Sequence, residues 1–202
     1  LMTLTRLYGV FILVMIITDI FKNKKGLSQI FKEKIYLVFL SISGILSFMW
    51  FSFINKGDPL AFYSLQTNVG EQRSDHLIML PQVFYRYFVK IIPNLHWDYF
   101  PVVFSTLLEI SVGLVFLYLI IISFKKIRWD YWIYVFLGYI VPTLTGSFSS
   151  LPRYVVVLFP AFIFMALKLE RTNKYLRLGI YILLSIIALG SLMLFFRGYF
   201  VS

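Results

Sequence analysis

Several arginines occupy positions where they could bind a phosphate group. Arg153 follows the serine-rich stretch 147–150 and directly precedes Tyr154. A guanidinium suits phosphate because its planar fork donates two parallel hydrogen bonds. Arg6 stands in a similar way at the edge of an apolar run. The alternative for both arginines is an ordinary contact with lipid headgroups.

Arg86 belongs to a basic stripe. Gln82, Arg86 and Lys90 recur every four residues after Pro81, so they share one side of a helix predicted over 81–92. The opposite side carries Phe84, Phe88, Ile91 and Ile92. Such a helix is typical of the membrane interface. The alternative is a simple anchor whose basic side chains reach the headgroups.

One carboxyl group falls inside a long apolar run. Glu109 lies about two helical turns from the start of that run. A carboxylate within a membrane is costly, which makes it a candidate functional group. We favour the alternative that Glu109 is neutral or hydrogen-bonded and joins two helices, because no basic residue lies at the same depth.

These residues are set in a very apolar chain. Of its 202 residues, 60% are hydrophobic and 14% are charged, whereas a soluble domain carries about 25% charged residues. The chain has no cysteine and two histidines. Disulfides and thiolate sites are therefore excluded, and no metal site is expected.

The predicted fold is all-α, a polytopic transmembrane bundle of about six spans formed by the whole chain, 1–202. The candidate spans are roughly 7–21, 35–54, 101–123, 131–147, 154–168 and 178–196. The segment 55–100, which contains the predicted interfacial helix, is too long for a simple connector. Long loops of this kind are usually functional.

The basic residues predict the orientation. Twelve of the 19 lysines and arginines lie in the connections 22–34, 124–130 and 168–177. A six-span path puts all three connections on one side, which should be the cytoplasm. The loop 55–100, the link 147–153 and the C-terminus then face outward. Because the basic residues are split among short connections, they predict no nucleic-acid surface.

The polar groups outside the basic connections gather on the outward side. This distribution favours an enzyme that acts on a lipid-linked substrate at the outer leaflet. A transporter would need polar groups near the membrane midplane. The remaining alternatives are a flippase for a lipid-linked sugar and a non-catalytic membrane subunit.

Three stretches together resemble a known family. They are 57–63 with Gln66, then Arg73 and Ser74 leading to 80–87, and 149–160. They are similar to the C-terminal half of bacterial relatives of the GPI mannosyltransferase II (PIG-V-like) family, over about residues 1–196. The most telling motif is Arg153-Tyr154 followed by an apolar run and Pro160.

That family belongs to the multispan GT-C glycosyltransferases. The resemblance implies transfer of a hexose, mannose above all, from a polyprenyl-phosphate carrier to an acceptor on the non-cytoplasmic face. It implies that Arg153, helped by Arg6 or Arg73, contacts the phosphate. Asp58, Gln66 and Asp75 would hold sugar hydroxyls. The full predicted substrate site comprises Arg153, Arg6, Arg73, Arg86, Gln66, Gln82 and Tyr154.

The resemblance also predicts what this chain lacks. In the GT-C class the catalytic acid typically lies in a first outward loop near the N-terminus. We therefore expect a C-terminal portion of a longer enzyme, inactive without its N-terminal part; otherwise Asp58 or Asp75 has taken the role. The expected partners are that N-terminal part, membrane lipids and the lipid-linked donor, with no further cofactor. The expected location is the bacterial cytoplasmic membrane, or the endoplasmic reticulum in a eukaryote.

Overall fold

A computed structural model describes residues 11–22, 27–61 and 78–201. Every regular element in these ranges is helical, so the predicted fold class is confirmed at this level. The helices are α1 (Phe11–Lys22), α2 (Leu27–Lys56), α3 (Leu80–Tyr85, continued by a π-helical turn Arg86–Ile91), α4 (Phe100–Ser123), α5 (Trp129–Thr143), α6 (Leu151–Val155), α7 (Phe159–Glu170) and α8 (Lys174–Phe196).

The core lies where α4 and α5 meet the short helix α6 and α7. α3 closes one end of this core, and α1 packs between α5 and α2. The largest side chains that are fully buried are Tyr87, Tyr134, Tyr139, Phe148, Leu151 and Leu158. Three of them are tyrosines, so the core needs hydroxyl partners as well as apolar packing.

Two helices among the described residues are long and apolar enough to cross a membrane, α4 with 24 residues and α8 with 23. They correspond to the predicted spans 101–123 and 178–196. Only 6% of the most apolar stretch of α8 is buried, so this stretch lies on the outside of the described helices. α5 has 15 residues and α7 has 12, fewer than the about 20 that a perpendicular crossing requires.

A proline and a glycine explain where two helices depart from the predicted spans. The predicted span 154–168 is divided into α6 and α7, and Pro160 stands in the first turn of α7. Proline has no N–H for the preceding turn, so a helix starts at this residue more easily than it continues through it. α5 ends at Thr143 rather than at 147, and Gly146, whose φ is +82°, turns the chain away from the helical direction.

Close packing of α5 against the α6–α7 bend gives a stability prediction. A Cβ atom added at Gly138 would overlap the side chain of Leu158, which is completely buried. We expect Gly138→Ala to lower the free energy of unfolding by about 1–3 kcal/mol through overpacking. The measurement is the melting temperature of the purified protein in detergent.

Gly179→Ala is the matched control. Gly179 lies in α8 with nothing within 4 Å of its added Cβ, so the substitution should leave the melting temperature unchanged or raise it slightly. Equal effects at the two glycines would contradict the packing described for Gly138.

Candidate functional site

Hydrogen bonds connect the link between α5 and α6 to α3 and to the residue Ile78 just before it. The backbone N–H of Ile78 donates to the carbonyl oxygen of Leu144 at 3.0 Å. The Arg86 guanidinium donates to the carbonyl oxygen of Gly146 at 3.2 Å. Gly146 has a φ of +82°, and a Cβ there would lie 2.5 Å from Ile78 Cδ1. The positive φ favours glycine at this position, and a Cβ there would also require the Ile78 side chain to move.

Tyr87 is the centre of a buried hydrogen-bond network. Its hydroxyl donates to Glu109 Oε2 at 2.8 Å and accepts from the backbone N–H of Phe148 at 3.0 Å. Ser147 Oγ lies 3.2 Å from the same hydroxyl. Because a phenol has one proton, Ser147 is the donor in that contact. The network joins α3, α4 and the α5–α6 link.

The phenol stays protonated at neutral pH. Burial, followed by the neighbouring Glu109 carboxylate, raises the pKa of Tyr87 well above its ordinary value. Tyr87 can therefore donate to Glu109 throughout the physiological range. The packing holds it in place, since the Phe148 ring lies 4.9 Å from the Tyr87 ring between centroids.

A cleft of about 300 Å³ opens beside this network. One face of α4 lines it with Val102, Ser105, Thr106 and Glu109, and Glu109 is the farthest of these from the start of the helix. Glu109 is only 7% exposed. The remaining lining residues are Tyr87, Ile91, Tyr99, Pro101, Ser149, Tyr199 and Phe200. The cleft thus combines one carboxyl group, several hydroxyls and aromatic rings.

Three segments that the sequence predicts to face outward meet at this cleft. Tyr99 comes from the loop before α4, Ser149 from the α5–α6 link, and Tyr199 from the residues after α8. The Tyr99 and Tyr199 rings are 6.1 Å apart between centroids. At the other end of α4, residues of two basic connections surround a second, smaller cleft. The two groups of connections therefore lie at opposite ends of α4.

Arg153 contacts a wall of the cleft rather than lining it. Its guanidinium donates to the carbonyl oxygen of Val201. It also lies over the Phe200 ring, 4.7 Å from the ring centre. Arg153 is exposed and its neighbour Tyr154 is half-buried. The structure thus brings Arg153 to the edge of the site, where it holds the residues after α8.

The other predicted site residues are more scattered. Gln82 is exposed on α3. Asp58 is exposed and accepts a hydrogen bond from the backbone N–H of Leu60 at 2.9 Å, within the turn that follows Gly57. Asp58 therefore has a local structural role in this turn. Arg6, Gln66, Arg73 and Asp75 lie outside the described residues.

The buried face of α3 differs from the predicted one. Val83 and Tyr87 are almost completely buried, whereas Phe88 is 47% exposed. Phe84, Ile91 and Ile92 of the predicted apolar face are partly buried against the core. From Arg86 the helix continues as a π-helical turn, in which the N–H of Ile92 donates to the carbonyl of Tyr87, five residues earlier. This wider turn breaks the four-residue spacing expected for the basic stripe. π-helical turns occur frequently at functional sites.

Comparison with known proteins identified no relative of this chain. No family model, curated protein or solved structure matches this chain. The resemblance to the PIG-V-like glycosyltransferases therefore stays a prediction. Function has to be argued from the cleft and its residues.

The Tyr87 network gives a second stability prediction. Tyr87→Phe removes the hydroxyl that serves Glu109, Ser147 and the Phe148 amide. Leaving buried polar groups without this partner should lower the free energy of unfolding by about 1–3 kcal/mol. Thermal unfolding in detergent measures the loss.

Tyr85→Phe provides the control, because Tyr85 lies on the same helix and is 57% exposed. It should unfold at the wild-type temperature. If Tyr87→Phe did the same, the network would contribute nothing to stability.

Proposed function

We propose that this chain is an integral membrane protein of about six spans, with α4 and α8 as its full-length crossings. The exposed apolar surface supports this proposal. Phe39, Trp50 and Ile54 on α2 and Phe195 and Phe196 on α8 are each more than half exposed. A water-soluble monomer rarely exposes apolar surface on this scale, whereas lipid chains cover it without cost.

Aromatic residues near both ends of α4 support the same proposal. Phe124, Trp129 and Trp132 form a cluster beside the basic link, with Trp129 and Trp132 5.1 Å apart between ring centres. Tyr99 and Tyr199 lie at the cleft. The 24 residues of α4 extend about 36 Å, slightly more than the roughly 30 Å of hydrocarbon. Trp and Tyr are enriched at both membrane interfaces.

We further propose that the cleft is part of a glycosyltransferase that takes a hexose from a polyprenyl-phosphate carrier at the non-cytoplasmic face. The observation that carries this proposal is a poorly accessible carboxyl group, Glu109, in a cleft lined by hydroxyls and aromatic rings. Hydroxyls and a carboxylate can bind sugar hydroxyls, and an aromatic ring can cover the apolar side of a sugar ring. A cleft of about 300 Å³ is at the lower end of the range for small-molecule sites.

The residues of the cleft can take defined roles in such a transfer. The acceptor hydroxyl oxygen attacks the anomeric carbon of the donor, and its proton passes to the Glu109 carboxylate. The bond between that carbon and the phosphate oxygen breaks, and the carrier leaves as polyprenyl phosphate. Arg153, at the edge of the cleft, stabilises the charge that develops on the leaving phosphate. Tyr87 orients Glu109 through its hydrogen bond.

The depth of Glu109 favours a second candidate, a carrier for the lipid-linked sugar. Glu109 is nine residues after Phe100, or about 14 Å along α4, and carriers bind their cargo near the midplane. The two candidates differ in the product. A carrier moves the lipid-linked sugar without forming a new glycosidic bond.

A vesicle assay tests the proposed function. The full-length protein that contains this chain is reconstituted with radiolabelled polyprenyl-phosphate mannose and membrane extract as the source of acceptor. We expect labelled mannose in a new product and release of polyprenyl phosphate. Transfer of intact donor between leaflets without a new product would favour the carrier and contradict the transferase.

A further inference from the structure

A basic cleft lies at the end of the molecule opposite the candidate site. It has a volume of about 150 Å³ and lies between the ends of α4 and α7. Three cationic side chains, Lys126, Lys168 and Arg171, line it together with three apolar ones, Ile122, Phe164 and Leu167. No part of the proposed glycosyl transfer uses these residues.

The spacing of the residues on α7 builds this cleft. Phe164, Leu167, Lys168 and Arg171 follow the three- and four-residue spacing of one helical face. On that face the apolar side chains come first in the sequence and the cationic ones follow, so the face changes from apolar to basic toward the C-terminal end of the helix. The only acidic residue of α7, Glu170, falls outside this face. The charge of the cleft is therefore strongly positive.

A side-chain contact positions Lys168, and a backbone turn positions the main chain at Lys126. Lys168 Nζ donates to the Tyr118 hydroxyl at 2.8 Å and lies 4.7 Å from the centre of the Tyr118 ring. Lys126 follows Lys125, whose φ of +62° reverses the chain directly after α4. The backbone N–H of Lys126 donates to the carbonyl of Ser123 at 2.9 Å within this turn. The ammonium group of Lys168 and the backbone of Lys126 are thus positioned by the fold.

We propose that this cleft binds the headgroup of an anionic phospholipid, with the phosphate at Lys126, Lys168 and Arg171. The apolar residues would contact the beginning of an acyl chain. A free phosphate ion would use the three cations but would leave Ile122, Phe164 and Leu167 without a partner. Basic pockets between helices on the cytoplasmic side are suited to anionic lipids, because one pocket contacts both the charged headgroup and the start of an acyl chain. The alternative to a lipid site is that these residues only contribute to the excess of positive charge that is common in cytoplasmic connections.

Lipid retention tests this proposal. The purified full chain in detergent is titrated with phosphatidylglycerol, phosphatidylcholine or inorganic phosphate, and bound lipid is counted by native mass spectrometry while the melting temperature is recorded. Phosphatidylglycerol should be retained and should raise the melting temperature, because a ligand of the folded state stabilises it. Phosphatidylcholine should do neither. Inorganic phosphate should have little effect at the same concentration.

Two double variants that remove the same number of charges distinguish a specific lipid site from nonspecific attraction by the positive charge of the protein. Lys168→Gln with Arg171→Gln removes two of the lining cations, and we expect about 30-fold weaker retention from the typical contribution of each basic side chain. Lys174→Gln with Arg177→Gln removes the same charge from α8, outside the cleft, and should retain phosphatidylglycerol. Equal loss in both variants would overturn the proposal in favour of general charge. Protection by inorganic phosphate equal to that by phosphatidylglycerol would overturn it in favour of a free-anion site.

Discussion

Glu109→Gln in the full-length protein is expected to slow glycosyl transfer by about 10²–10⁴-fold, the range over which a positioned acid or base acts. The amide keeps the size of the side chain and an oxygen that accepts from Tyr87, so the fold should survive. What it loses is the ability to take a proton from the acceptor hydroxyl. The rate of product formation with polyprenyl-phosphate mannose measures the effect.

The same substitution at an exposed glutamate is the control. Glu170→Gln, at the far end of α7, should transfer at the wild-type rate. If Glu109→Gln also transferred at that rate, Glu109 would be only the hydrogen-bonded helix contact that the sequence favours. Asp58 or Asp75 would then become the stronger candidates for the proton acceptor.

Arg153→Ala is expected to reduce transfer by about 10²–10³-fold, as removal of one charge-stabilising donor does in other sites. The variant should still insert and fold, since Arg153 is exposed and its contacts are with Phe200 and Val201. Arg153→Lys keeps the charge but loses the planar fork, so it should fall between the wild type and the alanine variant. Rates at saturating donor measure the loss.

Two further variants separate the charge of Arg153 from its contact with the cleft wall. Arg197→Ala removes another exposed arginine close to the same C-terminal residues and should be neutral. Phe200→Leu removes the ring beneath the guanidinium and part of the cleft wall, while the charge stays. Its transfer should therefore be faster than that of Arg153→Ala, and transfer as slow as that of Arg153→Ala would show that a disturbed cleft wall is enough to account for the loss.

The sequence predicts the helical elements well where composition alone decides them. Long uninterrupted apolar runs mark α4 and α8 within a few residues, because a run of this length has few other stable structures. The start of α3 near Pro81 is also correctly predicted, since proline acts on the backbone locally. Pro160 was less informative, because it marks the start of α7 inside what reads as one apolar span.

The candidate site is harder to predict because it depends on contacts between distant residues. Glu109 can be identified from the sequence, because a carboxyl group inside an apolar run is energetically costly. Nothing in the sequence distinguishes Tyr87 among the 14 tyrosines. The contact between them spans 22 residues, and that between Arg153 and Val201 spans 48. The π-helical turn after Tyr85 also has no local sequence signal. Only the assembled helices show that Tyr87 and Glu109 line one cleft and that Arg153 lies at its edge.

In the proposed topology, the cleft and the basic connections lie on opposite sides of a membrane. The chain has no cysteine, so single cysteines can be introduced cleanly at His96, near the cleft, and at Tyr175, at the start of α8; both positions are exposed. A membrane-impermeant maleimide applied to intact cells should label His96→Cys at once and Tyr175→Cys only after the membrane is opened. Labelling of both cysteines from the same side would contradict the proposed topology and, with it, a cleft that receives its substrate from the outer leaflet.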